Sequence, residues 1–415
     1  MAMSPQIRIL KNLRLLQILA LLVPQGFIIT LNGIAAPWML KDFNLSASQL
    51  ARVFACIAIS GVGALLLTRL FDVVGRGRVL SWSLFVSAAG AIGAALSRTV
   101  LPFALFEIAL LAATGAIVAG APVVIAEVLA APERAAGQAW GGIALGAGAG
   151  ACMFAMPILL RLGLSWRFLL WLAALPIVAV PWMLTESWQS QFWLPIEHGS
   201  VMPRESAASL IRPPHRQRAL TFMISNIFSS VAIATAKSWS YFHCVSNVGL
   251  TPGVSSAILI LSGGIALAGF PIGASLCERI GRVGTVAIFA TLVALSLAFS
   301  FWGPPRNYIH SFLWLLAGFS VFGLAMNATT VGGTTAATEL FPTGMRATAA
   351  GAIAIAGTVG RVAGQSLVAL LAARIGGVSF VVGLLGLSAI GTSILFIAFV
   401  DESRGLALES ATAAI

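Results

Sequence analysis

Twelve stretches of mostly apolar residues follow one another along the chain, at about 15–38, 47–69, 78–97, 101–127, 135–160, 165–185, 219–242, 253–276, 283–302, 308–338, 347–373 and 377–400, parted by short polar clusters. An α-helix crosses the hydrocarbon core of a bilayer on roughly 20 apolar residues, so the pattern predicts an all-α integral membrane protein of twelve transmembrane helices. Composition agrees, with 59% of the 415 residues hydrophobic and 9% charged, against roughly 45–50% and about 25% in soluble domains. Too few charged side chains are left to coat a surface in water. A secreted disulfide scaffold, a disordered tail protein and an ordinary cytosolic enzyme are excluded. The first stretch follows Arg8, Lys11 and Arg14 and contains Ala35-Ala36, in the manner of a signal peptide. Its apolar run is too long for one, and it is expected to stay as an uncleaved helix.

The net charge is +11, from 24 Lys and Arg against 13 Asp and Glu. The basic residues sit at the ends of the stretches, without the interleaved aromatic platforms of single-strand binders, so the expected partner is the lipid bilayer and not nucleic acid. With a cytoplasmic N-terminus, the outer side receives Lys41, Arg52, Arg98, Arg161, Arg167, Arg306 and Arg374, and Lys237 and Arg361 fall inside stretches. The other 15 of the 24 lie on the cytoplasmic side. This asymmetry predicts a multi-pass protein of the cell membrane, plasma or bacterial inner, with both termini cytoplasmic. Cys56, Cys152, Cys244 and Cys277 are scattered without CxxC spacing, and His198, His215, His243 and His310 lack ligand spacing, so no metal or cofactor is expected. No nucleophile with a base, no paired carboxylates and no phosphate loop stand out, which argues against an enzyme and an ATP-driven pump.

The motifs between stretches come in pairs. Asp72-x-x-Gly75-Arg76 matches Glu278-x-x-Gly281-Arg282, Glu127-x6-Arg134 matches Glu339-x6-Arg346, and Thr185-Glu186-Ser187 matches Asp401-Glu402-Ser403, in the same order. Three ordered pairs predict two homologous six-helix halves, 1–185 and 219–415, joined by a polar cytoplasmic linker at 186–218. Halves repeated in this way are the architecture of carriers that rock around a central site. An acid and an arginine four residues apart can serve as a gate. Asp72 and Glu278 can accept from backbone N–H groups at a helix N-terminus, while Arg76 and Arg282 reach neighbouring acids, so the contacts would bias a two-state equilibrium. Gly75, Arg78, Glu127, Arg134, Arg279, Gly281, Glu339 and Arg346 complete this candidate gating set.

The run Thr68-Arg69-Leu70-Phe71-Asp72-Val73-Val74-Gly75-Arg76-Gly77-Arg78 resembles the cytoplasmic signature loop of the major facilitator superfamily, and Gly273 to Arg282 resembles its second copy. Thr338 to Arg346 and Glu402 to Glu409 are similar to loops of the sugar-porter, organic-ion and aromatic-acid/proton symporter branches, and Asn32 to Pro37 with Leu45 to Leu50 is most similar to the last of these. The resemblance implies a carrier of twelve helices in two pseudo-symmetric bundles around one cavity. The acids common in the first span of that branch are absent from Gln25-Gly26-Phe27-Ile28, and the usual fourth-span arginine is absent from Leu110 to Gly115.

Charged groups at mid-bilayer cost roughly 2.5–3.5 kcal/mol on insertion scales and normally face a cavity or a partner. Three candidates are Glu107, Lys237 and Arg361. Asn226, Ser230, Lys237 and Tyr241 share one helical face, as do Thr358, Arg361 and Gln365. Asn327 with Thr334, and Gln25 with Asn32, form further stripes. Two cations among amides and hydroxyls suit a carboxylate: Arg361 could grip it bidentately, Lys237 could add charge, and Trp239 and Tyr241 could pack its body. Glu107 is the candidate coupling group for protons. Gly142, Gly146 and Gly150, and Gly269 with Gly273, are expected to make close helix seams. The expectation is a secondary carrier of a small organic anion, working as a monomer by alternating access. An efflux antiporter and a ligand-binding sensor without net transport stay open as alternatives.

Overall fold

The computed structural model describes residues 12–129, 134–185, 213, 215–303, 308–341 and 346–403. Among these the only regular elements are helices. The first half carries α1 (Leu13–Asp42), α2 (Ala47–Ala58), α3 (Ser60–Val73), α4 (Arg76–Leu96), α5 (Val100–Val128), α6 (Arg134–Arg161), α7 (Phe168–Ala174) and α8 (Val180–Met183). The second carries α9 (His215–Phe242), α10 (Pro252–Ala266), α11 (Gly269–Ile280), α12 (Arg282–Trp302), α13 (Tyr308–Leu340), α14 (Arg346–Leu371), α15 (Gly377–Gly386) and α16 (Ala389–Phe399). Local sequence sets the ends. Asn12 caps α1 by accepting from the Arg14 and Leu15 amides at 3.0 and 3.3 Å, and Thr251 precedes Pro252 at the start of α10.

Eleven segments are long and apolar enough to cross a membrane, and the twelfth is the shorter apolar stretch Phe168–Met183. Pro176 and Pro181 remove backbone donors there, and a 3-10 turn at Leu175–Ala179 replaces an unbroken helix. Leu101, Phe154, Val178 and Ile397 stand exposed on helix surfaces, where only lipid could cover them favourably. Helix α9 begins at His215, inside the stretch read from sequence as linker. Residues 186–212 and Pro214 of that stretch lie outside the described residues.

Contacts divide the chain into two units, Met1–Leu45 with Cys56–Ile196, and Ser46–Ala55 with Glu197–Ile415. Each is built on one plan. In the first, α1 packs on α6, α4 on α5, α3 on α5, and α4 on α7; in the second, α9 packs on α14, α12 on α13, α11 on α13, and α12 on α15 and α16. The first core gathers Leu15, Ile18, Leu22, Leu80, Ile125 and Met183, and the second gathers Phe222, Val286, Leu340, Phe341 and Phe396.

Close seams depend on glycine, and not always on the glycines that the four-residue spacing suggests. A Cβ at Gly26 would strike the Leu145 backbone, and one at Gly148 the Val23 carbonyl, so α1 and α6 meet through these two. Gly142, Gly146 and Gly150 face open space, which corrects the expectation of a seam there. The residue that α1 needs is Gly148, on a different face of α6. Gly269 and Gly273 do make a seam, against Leu324 and Ala328 of α13.

Candidate functional site

Glycine also builds the seam that carries the second unit's intramembrane charges. On α14, Gly357, Gly360 and Gly364 face α9, where an added Cβ would press on Asn226 and Ser230, Ile227, and Val231 and Thr235 respectively. Arg361 lies between them. Its Nη2 donates to Thr358 Oγ1 at 2.7 Å, and the residue is half-buried. One turn on, Gln365 bridges the two helices: its Oε1 accepts from Trp239 Nε1 at 2.9 Å and its Nε2 donates to Ser238 Oγ at 2.9 Å. Lys237 is the residue before Ser238, so both cations lie within about one helical turn of this bridge. Lys237 is exposed, although Trp239, Ser240 and Tyr241 beside it are buried.

No acid answers either cation among the described residues. The described acids of α9 to α16 and the segment after them are Glu278, Glu339, Asp401 and Glu402, and all are engaged at the motif-bearing end of the unit. There Gly281 opens α12 at φ +92°, as Gly75 opens α4 at φ +102° in the first unit. This is a left-handed region that glycine enters freely and other residues do not. Glu402 accepts from the backbone N–H groups of Arg282 and Val283 at 2.9 and 3.0 Å, taking the helix-start position expected of Glu278. Glu278 instead pairs with the Arg282 guanidinium at 3.1 Å. The same guanidinium forks onto Glu339, with Nε to Oε2 at 3.0 Å and Nη2 to Oε1 at 2.9 Å, and its Nη1 donates to the Cys277 carbonyl at 3.1 Å. Ser403 Oγ donates to Glu339, and Arg218 pairs with Asp401 at 2.9 Å. Arg78, in the first turn of α4, and Arg279, in the last turn of α11, are exposed. The side chains of Asp72, Arg76, Glu127, Arg134 and Arg346 lie outside the described residues.

The other polar residues singled out from sequence divide between helix pairing and orphaned groups. Asn226 Nδ2 donates to the Ile353 carbonyl at 2.6 Å, and Asn327 Nδ2 to that of Ala266 at 2.8 Å, where α10 ends. Tyr241 Oη donates to the Pro252 carbonyl at 3.2 Å. In the first unit, Asn32 Nδ2 donates to Glu107 Oε2 at 2.7 Å, joining α1 to α5. Gln25 Nε2 donates to the Leu21 carbonyl at 3.2 Å. Sequence reasoning missed the capping role of Glu402, although its place in the third repeated pair was a signal. It also missed Arg218 with Asp401, for which a separation of 183 positions left none.

The sequence profile described as Major Facilitator Superfamily matches residues 18–365. No curated protein sequence matches. Among solved structures, a D-xylose-proton symporter is similar with a TM-score of 0.72 at 18% identity, covering 96% of this chain and 99% of that one. The nucleoside transporter NupG gives 0.72 at 16%, covering 93% and 100%. A bacterial homolog of the human lysosomal transporter Spinster, inward-facing and unoccupied, gives 0.68 at 12%, covering 96% of each. At such identities the likeness speaks for the fold, which is the fold built here from two like-packed units of six spans. With the profile running through both halves, this chain is a membrane transporter of the major facilitator superfamily.

Proposed function

We propose that this transporter carries a small organic anion, a carboxylate above all, by alternating access. Arg361 takes the carboxylate through its planar fork, and Lys237 supplies a second positive charge. The observation that carries this reading is the charge distribution of the second unit: its described acids gather at the motif-bearing end, and its two intramembrane cations are left without one. Lone cations at that depth are costly, and an anion that neutralises them recovers the cost. Asn226, Asn327 and Gln365 spend amide donors on helix pairing, and Trp239 and Tyr241 are buried. They therefore position the two cations and frame the site. The residue pair that a substrate touches is Lys237 and Arg361, both of the second unit.

The knot around Arg282 and Glu339 serves as a switch, populated in one state of the cycle and broken in another. The chain is read as two halves, the second beginning with α9 at His215, with both termini cytoplasmic, working as a monomer. The test is thermal stabilisation of the purified protein by a panel of aromatic and aliphatic carboxylates, sugars, nucleosides and organic cations, with Arg361→Ala alongside. A ligand at 100 times its Kd adds about 2.7 kcal/mol. Carboxylates should raise the melting temperature of the wild type and not of the variant. Stabilisation of both proteins by sugars, nucleosides or cations would make Arg361 a helix-packing residue and remove the anion.

A further inference from the structure

Glu107 lies two turns inside α5 and is 1% exposed, and Asn32 meets it from α1. One of the two possible bonds between an acid and an amide is made, from Asn32 Nδ2 to Glu107 Oε2 at 2.7 Å. The atoms that the second bond would join, Glu107 Oε1 and Asn32 Oδ1, are both buried and both without a partner. Each can only accept while the acid is ionised. Two acceptors cannot bond to one another, and leaving both buried and unmet is unfavourable.

We propose that Glu107 and Asn32 form a proton-binding site within the first unit, in which a single hydrogen satisfies both orphaned oxygens. The proton forms an O–H bond at Oε1, delivered by hydronium from the water with which the site exchanges, and leaves to water by the same bond. No electron moves. The neutral acid donates to Asn32 Oδ1 while Asn32 Nδ2 keeps its bond to Oε2, which closes a two-bond acid–amide ring. Turning the amide over exchanges the two limbs and leaves the count of donors and acceptors unchanged. A hard metal cation takes about six or more oxygens, and this pair supplies fewer.

Among the described residues, the helices packed on α5 bring no charge to the interior beside the acid. The helices packed on α5 are α1, α3, α4 and α6. Their charged groups with described side chains lie at their ends: Arg14, Lys41 and Asp42 on α1, Arg78 on α4 and Arg161 on α6. Asp42 is held by Arg167 at 2.9 Å. Cys152 of α6 is buried and is the remaining titratable group of that helix's interior. Two turns along each helix, Gln25, seven residues before Asn32, and Thr114, seven after Glu107, also keep a buried oxygen without a partner.

What the proton drives rests on the carrier reading, but the site itself is tested without any transported substrate. Infrared spectra of the purified protein across a pH series should contain a protonated-carboxyl C=O band that is present at low pH, lost at high pH and missing from Glu107→Gln. In Asn32→Leu the band should move to higher frequency, because the acid has lost both hydrogen bonds. Glu107→Gln is expected to fold, since a glutamine and Asn32 can make the same two bonds reciprocally. Should Asn32→Leu fail to fold, Asn32→Ser is the replacement and the same upward move is expected. Absence of any band assignable to Glu107, a band that persists at every pH, or one that neither Asn32 variant moves would each overturn the proposal. So would a band that sodium abolishes at constant pH while potassium does not.

Discussion

At the scale of single residues, Gly281 shows how backbone and charge can be fixed at one point. Its φ of +92° excludes side chains on conformational grounds, and a Cβ there would also run into the Glu402 carboxylate. Gly281→Ala should lower stability by about 1–3 kcal/mol, the usual cost of a residue held in a forbidden region. A double-mutant cycle with Glu402→Ala separates the two causes. If the collision matters, the pair of changes costs less than the sum of the single ones; full additivity in denaturant unfolding would assign the whole loss to the backbone. The sequence announced this glycine through its repeat, because Gly75 holds the matching place at φ +102°. It did not announce which acid would cap the helix behind it. Glu278 and Glu402 are both acids of repeated motifs, and only three-dimensional packing puts Glu402 on the α12 amides and Glu278 on the Arg282 side chain. Depth and chemistry of Glu107 were legible in its apolar span, while the amide that meets it comes from a residue 75 positions away.

At the scale of elements, hydropathy located the spans because nothing but lipid accounts for runs of that length and composition, and it was blind to their interruptions. The second span breaks after Ala58 and the eighth after Ala266, both within apolar sequence. Tight three-residue bonds mark the bends, Ile59 N to Cys56 O at 3.2 Å and Ala268 N to Ile265 O at 3.1 Å. Neither bend interrupts the apolar run, so periodicity alone misses both. Seam glycines were similarly half-legible. Spacing alone proposed Gly142, Gly146 and Gly150, and the packed ones are Gly26 and Gly148. The α9 to α14 seam offers the sharpest check. Gly360→Ala would press a methyl on the Ile227 backbone, carbonyl oxygen included, which cannot yield as a side chain tip does. Overpacking of this kind costs about 1–3 kcal/mol. Gly351→Ala on the same helix meets open space and should be neutral or slightly stabilising. Equal melting temperatures for the two variants in detergent would contradict the close approach.

At the scale of the whole molecule, the duplication was the most legible feature, because paired motifs in the same order need no structure to be seen. Its structural expression is that corresponding spans choose corresponding neighbours, α1 with α6 as α9 with α14, and α4 with α5 as α12 with α13. The halves nevertheless diverge in electrical character. The first keeps a buried carboxyl, Glu107, and the second carries two cations along its helices, half-buried Arg361 and exposed Lys237. On the proposed anion-carrier reading, Lys237 and Arg361, left without acids, would make the empty carrier sensitive to membrane voltage, since one elementary charge moved across 100 mV is worth about 2.3 kcal/mol. Reorientation of an empty protein with two uncompensated positive charges should displace charge. A bound monocarboxylate cancels one of them, so rapid addition of such a ligand to membranes holding the protein should produce a transient current without net turnover. Arg361→Ala should shrink that current, and a silent wild type would mean that the pair never moves through the field. With that current present, voltage would act on the return of the empty carrier more than on the loaded step, and a cell's resting potential, not substrate alone, would set how fast the cycle resets.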